Sequence, residues 1–499
     1  MINLSIQEIA DITGGYLDGG ADPQATVTGF VEFDSRKVTP GGLFVALPGS
    51  RVDGHDFAAA AIDKGAVAVL AARPVGVPAI VVEPSGTLEE TGSDVFANDA
   101  DGSASAVIIA LSALARAVTR RLQDKLTIVG ITGSAGKTST KDLVASVLRA
   151  KGETVAPAGS FNNEIGHPYT ALRCDEHTRY LVAEMSARGI GHIAHLADIA
   201  APTTGVVLNV GTAHLGAFGS RANIAQAKGE LVEALPAEGV AILNADDDLV
   251  AAMASRTTAR VVTYSVENAD ADYLATDIEL DAVARPTFTL HAPGAEPVRI
   301  KLQVFGKHQV SNALAAVAVG RSAGMSVEDI AHALQGHKNA SAHRMDVRTR
   351  PDGVTIIDDS YNANPESMRA ALAALGYTTS ARPDARAIAV LGEMGELGPA
   401  AEAEHRALAN ELVKYRIGYL VVVGRGDNCE AMADAAAGAG INTTVVENPE
   451  QAIAVVEAIV STTPVTAEDW GERTEKDVVL AKASHAHGLW RVAEGLLAQ

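Results

Sequence analysis

The chain has 499 residues, a net charge of −21, 47% hydrophobic and only 4% aromatic residues. That length exceeds what one hydrophobic core sustains and is expected to divide into about three domains. The acidic balance excludes a nucleic-acid footprint, which needs a basic surface, but leaves room for a local basic pocket around one anionic ligand. The two cysteines, Cys174 and Cys429, are too few for a disulfide framework or a thiolate metal cage. No basic, apolar leader opens the chain and the apolar run from Ala106 to Ala115 is too short to span a bilayer. A soluble, cytoplasmic, monomeric protein without a membrane span is therefore expected.

In chain order, residues 1–124 carry short strand-like runs, Gly42–Leu47 and Ala79–Glu83, and a helix from Phe57 to Lys64. Between Glu83 and Ser105 the composition shifts to Gly, Ser, Asp and Glu without periodicity, which predicts a mobile loop or insertion. Residues 125–339 alternate apolar runs (126–131, 179–183, 205–210, 240–243) with helical patterns, closing with helices Gln309–Gly324 and Val327–Leu334. Such alternation predicts a mostly parallel sheet covered on both faces. Residues 340–499 repeat the pattern, with strands at 354–358, 386–391, 418–423, 443–446 and 478–482 and helices Pro365–Leu375 and Pro449–Ile459. Asn364 before Pro365 predicts a helix start: a capping side chain, then a proline whose missing N–H costs nothing there. The fold class is α/β: a small N-terminal module, a central ATPase-like parallel sheet with a phosphate loop, and a C-terminal Rossmann-like unit.

The densest signal is Leu126 to Lys141, LTIVGITGSAGKTSTK. An apolar strand runs into a glycine-rich loop, and Asp142 to Leu148 read as the start of a helix. This arrangement turns backbone N–H groups and a helix N-terminus toward phosphates. Lys137 can reach the terminal phosphates and the Thr138 hydroxyl can ligate magnesium. The glycine spacing is unusual, because Ile131 stands where the common phosphate loop has glycine and the loop reads Thr132-Gly133-Ser134-Ala135-Gly136-Lys137-Thr138. ATP with Mg2+ is the expected ligand.

Ligands of open α/β sheets bind outside the carboxyl ends of the strands. Glu184 follows the run Tyr180–Ala183, and His214 follows Gly205–Val210, so both fall at the same edge as the phosphate loop. Oxygen and imidazole donors there suit a magnesium ion beside a nucleotide. Lys228 lies on a helical face with Ile224, Leu231 and Leu235. A lysine so placed must snorkel, find a partner or lose its charge; a neutral amine can take up carbon dioxide to give a carbamate, an additional anionic oxygen ligand.

These residues resemble the Mur ligases, ATP-dependent amide-forming enzymes of peptidoglycan precursor synthesis, over essentially the whole chain. The resemblance implies a nucleotide site at Gly133, Ser134, Ala135, Gly136, Lys137, Thr138 and Ser139. It further implies an adenine contact at Asn312, a phosphate-contacting Arg344, a ribose-side Asp359, and metal ligation by Thr138, Glu184, His214 and a carbamylated Lys228. Lys137, Glu184, His214, Lys228 and Arg344 are the implied catalytic set. Two signatures, Asp358-Asp359-Ser360-Tyr361-Asn362-Ala363-Asn364-Pro365 and Ser160-Phe161-Asn162-Asn163-Glu164-Ile165-Gly166, are similar to the member that takes D-alanyl-D-alanine and UDP-N-acetylmuramoyl-tripeptide. They imply substrate contacts at Asn162, Asn163, Tyr361, Asn362 and Asn364, while Asp34-Ser35-Arg36 and Gly54-His55-Asp56-Phe57 resemble a UDP-sugar module, with Ser35, Arg36 and His55 as contacts. The member adding the preceding amino acid would show Tyr-Ala-His-Thr-Pro and Asp-Asn-Pro-Arg stretches, which do not occur here. A folylpolyglutamate-type ligase, a non-catalytic nucleotide-binding regulator and a simple ATPase or kinase are the other readings. The run Lys482-Ala483-Ser484-His485 departs from the Lys-Gly-Ser pattern of the family.

Overall fold

The computed structural model describes residues 1–49, 52–84, 99, 101–157, 159–338, 341–382, 384–462 and 477–499. Most of the segment expected to be a loop (83–105) lies outside them. Its end does not follow the expectation: a 20-residue helix already starts at Ser103 and runs to Leu122. Asp99 caps it by accepting from the N–H groups of Ala104 and Ser105 at 2.7 and 2.9 Å. The apolar run 106–115 is thus the middle of a longer element. Among the described residues this is the one helix long and apolar enough to cross a membrane, and 72% of its apolar window is buried inside the protein. Arg116 pairs with Asp198 and the Thr119 hydroxyl donates to the Ile199 carbonyl at 3.1 Å, so the helix ties the N-terminal unit to the central one.

The N-terminal unit holds a five-stranded sheet in the order Tyr16–Asp18, Ala79–Val81, Ala68–Ala71, Leu43–Val45, Val31–Glu32. The helix expected over Phe57–Lys64 is a 3-10 turn, Gly54–Phe57, running into the α-helix Ala58–Asp63.

Nine strands form the central sheet. Thr127–Thr132 lies between Tyr180–Glu184 on one side and Thr204–Val207 on the other, all parallel. Chain order therefore reverses at Thr127–Thr132, and in such sheets the crevice at the reversal is where ligands sit. Beyond Thr204–Val207 come Val240–Asn244 and Arg260–Ser265. Tyr273–Leu280 adds parallel to Arg260–Ser265, and Pro286–His291 and Val298–Lys301 continue the sheet antiparallel, without forming continuous apolar runs. Helices Lys137–Arg149 and Gln309–Ser322 pack together over one face, with Leu143, Val144, Val147, Leu314 and Val317 buried in a shared core.

The C-terminal sheet has six strands in the order Asp346–Thr349, Thr355–Asp358, Val478–Lys482, Ala387–Leu391, Tyr419–Val423, Asn442–Val446, parallel except at its first pair. Asn364 caps helix Pro365–Ser380 as expected, its Oδ1 accepting from Ser367 N at 2.9 Å.

Candidate active site

The carboxyl ends of the central and C-terminal sheets face one another across a cleft of about 890 Å³. The phosphate loop forms its floor. The helix after the loop begins at Lys137 itself, five residues before Asp142, so Gly136 is the residue that turns the chain, at φ 83. A Cβ at Gly136 would come within 2.9 Å of Asn312 Oδ1, and one at Gly133 within 2.9 Å of Leu208 Cβ. Only glycine permits this close approach. Asn209, which the sequence reading passed over, braces the loop: its Oδ1 accepts from Ala135 N at 2.9 Å and its Nδ2 donates to Ala135 O at 3.2 Å. Lys137 Nζ donates to Gly133 O at 2.8 Å. Burial lowers its pKa, Glu184 opposes that shift and Arg344 adds to it.

Glu184 ends its strand fully buried. Its Oε2 accepts from Ser160 Oγ at 3.1 Å and Asn162 Nδ2 at 3.4 Å, whereas Oε1 is buried without a hydrogen-bond partner among the described residues. A carboxylate oxygen sealed from water and unpaired is costly unless it receives a cation. Asn162 therefore orients Glu184, and Asn163 Oδ1 accepts from Gly166 N at 2.9 Å; both asparagines also line the cleft. His214 adopts a left-handed backbone, φ 61, at the start of the turn Leu215–Phe218. Its Nδ1 lies against the Glu396 carboxylate, which comes from the C-terminal unit, and Arg188 binds the other oxygen of that carboxylate at 3.1 Å. The His214 imidazole beside it lowers the Glu396 pKa to about 2.

Lys228 sits inside helix Arg221–Glu233 with 4% of its surface exposed, beside the buried Ile224 and Leu231. Burial, reinforced by the nearby Lys137 charge and opposed by Glu366, holds its pKa well below that of a free lysine. The side chain is thus largely withdrawn from water, and the amine is disposed toward its neutral form.

The C-terminal unit supplies the opposite wall. Arg344 lies 4.1 Å from the Tyr361 ring centroid, over its face. Asp359 accepts from Met345 N at 3.1 Å and from Lys482 Nζ at 2.5 Å. Lys482, 2% exposed, also donates to the carbonyls of Asp359 and Asn362, at 3.2 and 2.9 Å. The run that departs from the family pattern thus keeps its lysine as the anchor of the 359–362 turn. Two contacts carry the C-terminal unit onto the phosphate loop and its neighbour: Asn364 Nδ2 donates to Ser134 O at 3.2 Å, and Glu366 Oε1 accepts from Thr212 N at 2.8 Å.

Ser35, Arg36 and His55 are not brought to this cleft. Arg36 is exposed and paired to Asp34 at 2.9 Å. His55 is buried with both ring nitrogens in use, Nδ1 on Asp53 at 2.6 Å and Nε2 accepting from Ala72 N at 3.0 Å, so the structure gives it a bracing task inside the N-terminal unit. The segment carrying these residues still touches the site at one remove. Phe33 packs on Tyr169 and Tyr169 on Phe161, with ring centroids 4.8 and 5.4 Å apart, and Phe161 belongs to the loop that holds Glu184.

A phosphate loop, a sealed carboxylate and a second domain bearing Arg344 and Asp359 define an ATP-dependent ligase architecture, and the comparisons agree. The Mur ligase family, catalytic domain, matches residues 28–115, the Mur ligase middle domain residues 131–320, and the Mur ligase, glutamate ligase domain, residues 343–485. The chain belongs to the Mur ligase family. It is 52% identical to the UDP-N-acetylmuramoyl-tripeptide–D-alanyl-D-alanine ligase of Mycobacterium tuberculosis, over 100% of this chain and 98% of that protein. The Escherichia coli enzyme of the same name is 35% identical over 81% of this chain and 82% of its own. Among solved structures, MurF from Acinetobacter baumannii superimposes with a TM-score of 0.81 at 28% identity, covering 100% and 99% of the two chains. MurF ligase from Thermotoga maritima in complex with ADP gives 0.73 at 27% identity, covering 95% and 98%.

Proposed function

We propose that this chain is an ATP-dependent carboxylate–amine ligase that joins D-alanyl-D-alanine to UDP-N-acetylmuramoyl-tripeptide in cytoplasmic peptidoglycan precursor synthesis. The observation that carries the reading is the cleft in which Ser134–Ser139 of the central unit meet Arg344, Asp359 and Tyr361–Asn364 of the C-terminal unit. Full-length identity to ligases of that name supports the choice of substrates.

The loop amides and Lys137 would hold the ATP phosphates, with Asn312 and Asp359 toward the nucleoside. Glu184, whose Oε1 is sealed and unpaired, and the buried Thr138 hydroxyl would hold a magnesium ion, with His214 and a carbamate on Lys228 as its further ligands. Bound there, the ion supplies the charge that lets a carboxylate and a triphosphate approach each other. Lys137 and Arg344 neutralise charge developing on the transferred phosphoryl group. The tripeptide carboxylate becomes an acyl phosphate, and the amine of the dipeptide attacks its carbonyl carbon, expelling phosphate. Acyl phosphates hydrolyse in water, so the contacts of Asn364 with Ser134 and Glu366 with Thr212 would serve to keep the cleft shut meanwhile.

Phosphate release from ATP, measured with each co-substrate omitted in turn, tests the assignment. Release is expected only when UDP-N-acetylmuramoyl-tripeptide and D-alanyl-D-alanine are both present. A single amino acid that serves as well as the dipeptide would overturn the choice of substrate.

A further inference from the structure

Glu396 belongs to none of the residue sets read from the sequence, yet its surroundings give it a specific task. It follows strand Ala387–Leu391 in the C-terminal unit and lines the cleft at φ 62, a left-handed backbone at a non-glycine residue. His214, which it touches, is left-handed too. Such conformations cost energy and persist where surrounding contacts hold them. Here the holding contacts cross between two units. Gly216 N donates to the Glu396 carbonyl at 3.3 Å, and a Cβ on Gly216 would come within 2.7 Å of Gly398 N. The backbones around both residues are therefore pressed together, and a carboxylate oxygen lies against Nδ1 of the imidazole, a buried nitrogen with no hydrogen bond formed among the described residues, with Arg188 on the other oxygen.

A histidine that ligates a metal through one nitrogen characteristically donates the other N–H to a carboxylate, which fixes the tautomer and the ring direction. We propose that Glu396 is a positioning residue for His214: the C-terminal unit delivers the carboxylate that accepts from Nδ1–H, leaving Nε2 as the nitrogen offered to a divalent cation. The inference rests on the reading of His214 as a metal ligand given above. It adds that the metal site is completed only when the C-terminal unit docks, so cation affinity and closure are linked and each favours the other.

Mn2+ is the probe, titrated into the full-length protein with a non-hydrolysable ATP analogue and followed by the electron paramagnetic resonance of the free ion. Glu396→Ala is expected to weaken Mn2+ binding about 10- to 100-fold, the scale for losing the carboxylate behind a ligating histidine. Glu396→Gln, whose amide oxygen can still accept from Nδ1–H, should lose less. In a His214→Ala background, Glu396→Ala should change nothing further. Unchanged Mn2+ affinity in Glu396→Ala, with His214→Ala weakened, would overturn the role of Glu396 alone; so would losses that add in the double variant. If His214→Ala itself binds Mn2+ like the parent protein, the metal reading of His214 falls and this inference with it.

Discussion

Lys137, which lines the cleft, and Lys228, buried in helix Arg221–Glu233, have pKa values lowered by the same cause. Burial lowers both; after burial the Glu184 counter-charge weighs most on Lys137 and the repelling Lys137 charge weighs most on Lys228, with Arg344 and Glu366 acting in the opposite sense on each. The stronger depression at Lys228 fits the proposed roles, Lys137 on anionic phosphates and Lys228 reacting as a free amine. Lys137→Ala is expected to lower turnover on the order of 10²–10³-fold, the scale for removing one preorganised electrostatic contact. The loop should still form, because Asn209 and backbone groups hold it. Steady-state kinetics beside circular dichroism would check both halves. Lys228→Ala should be nearly inactive and partly restored by short carboxylic acids that refill the space, and labelled carbon dioxide should give a carbamate carbon signal in the parent protein but not in the variant. A fully active Lys228→Ala enzyme would leave this lysine a purely structural role.

At the scale of elements, the short 3-10 turn Gly54–Phe57 shows how a motif can be structural. Asp53 caps it, binds His55 Nδ1 at 2.6 Å and pairs with Arg73 at 2.7 Å. Burial would raise the Asp53 pKa, but the hydrogen bonds from Arg73 and His55 outweigh it and bring it from 3.8 to about 2. A depressed folded-state value means stabilisation that is complete above the unfolded-state pKa and lost as pH falls through the folded one. Between about pH 4 and 2 the N-terminal unit should therefore loosen in step with Asp53 protonation. Asp53→Asn should show the weaker stability already at neutral pH and a flatter acid limb, read by thermal melts across that range. Equal acid sensitivity in the variant and the parent would assign the acid limb to other carboxylates.

Across the whole molecule, the cleft is a joint between units, and Arg344 is its clearest test. The residue stands in the C-terminal unit on the face of Tyr361, opposite a loop that belongs to the central unit. Its guanidinium can act on the phosphates only when the units are docked. Arg344→Ala is thus expected to lower turnover far more than it weakens ATP affinity. Nucleotide titration compared with saturating kinetics checks this; normal turnover at saturation with weaker ATP binding would remove the role.

The strand, loop and helix at 126–149, the helix start at Asn364-Pro365 and the parallel cores were legible because each is local: continuous apolar runs, turn chemistry and capping lie within a few residues. The strands Tyr273–Leu280 and Pro286–His291 escaped because apolar residues alternate with polar ones that stay half-buried or exposed, with one face in the core, and so never form a continuous apolar run. Of helix Ser103–Leu122 only the apolar run 106–115 was noted, not the helix, because polar residues bracket that apolar centre and only packing against two units buries them. Within the site, the phosphate loop, Glu184, His214 and Lys228 were readable as residue types at strand ends and on a helix face. Asn209, Lys482, Glu366 and Glu396 were not, since their partners lie 74, 123, 154 and 182 positions away in the chain. What the sequence determined by itself is therefore the chemistry available, carried by local patterns. Which carboxylate meets which cation, and whether a motif residue such as His55 faces a ligand or braces its own unit, was decided by the tertiary structure, because charge pairing and burial depend on distances that only folding sets.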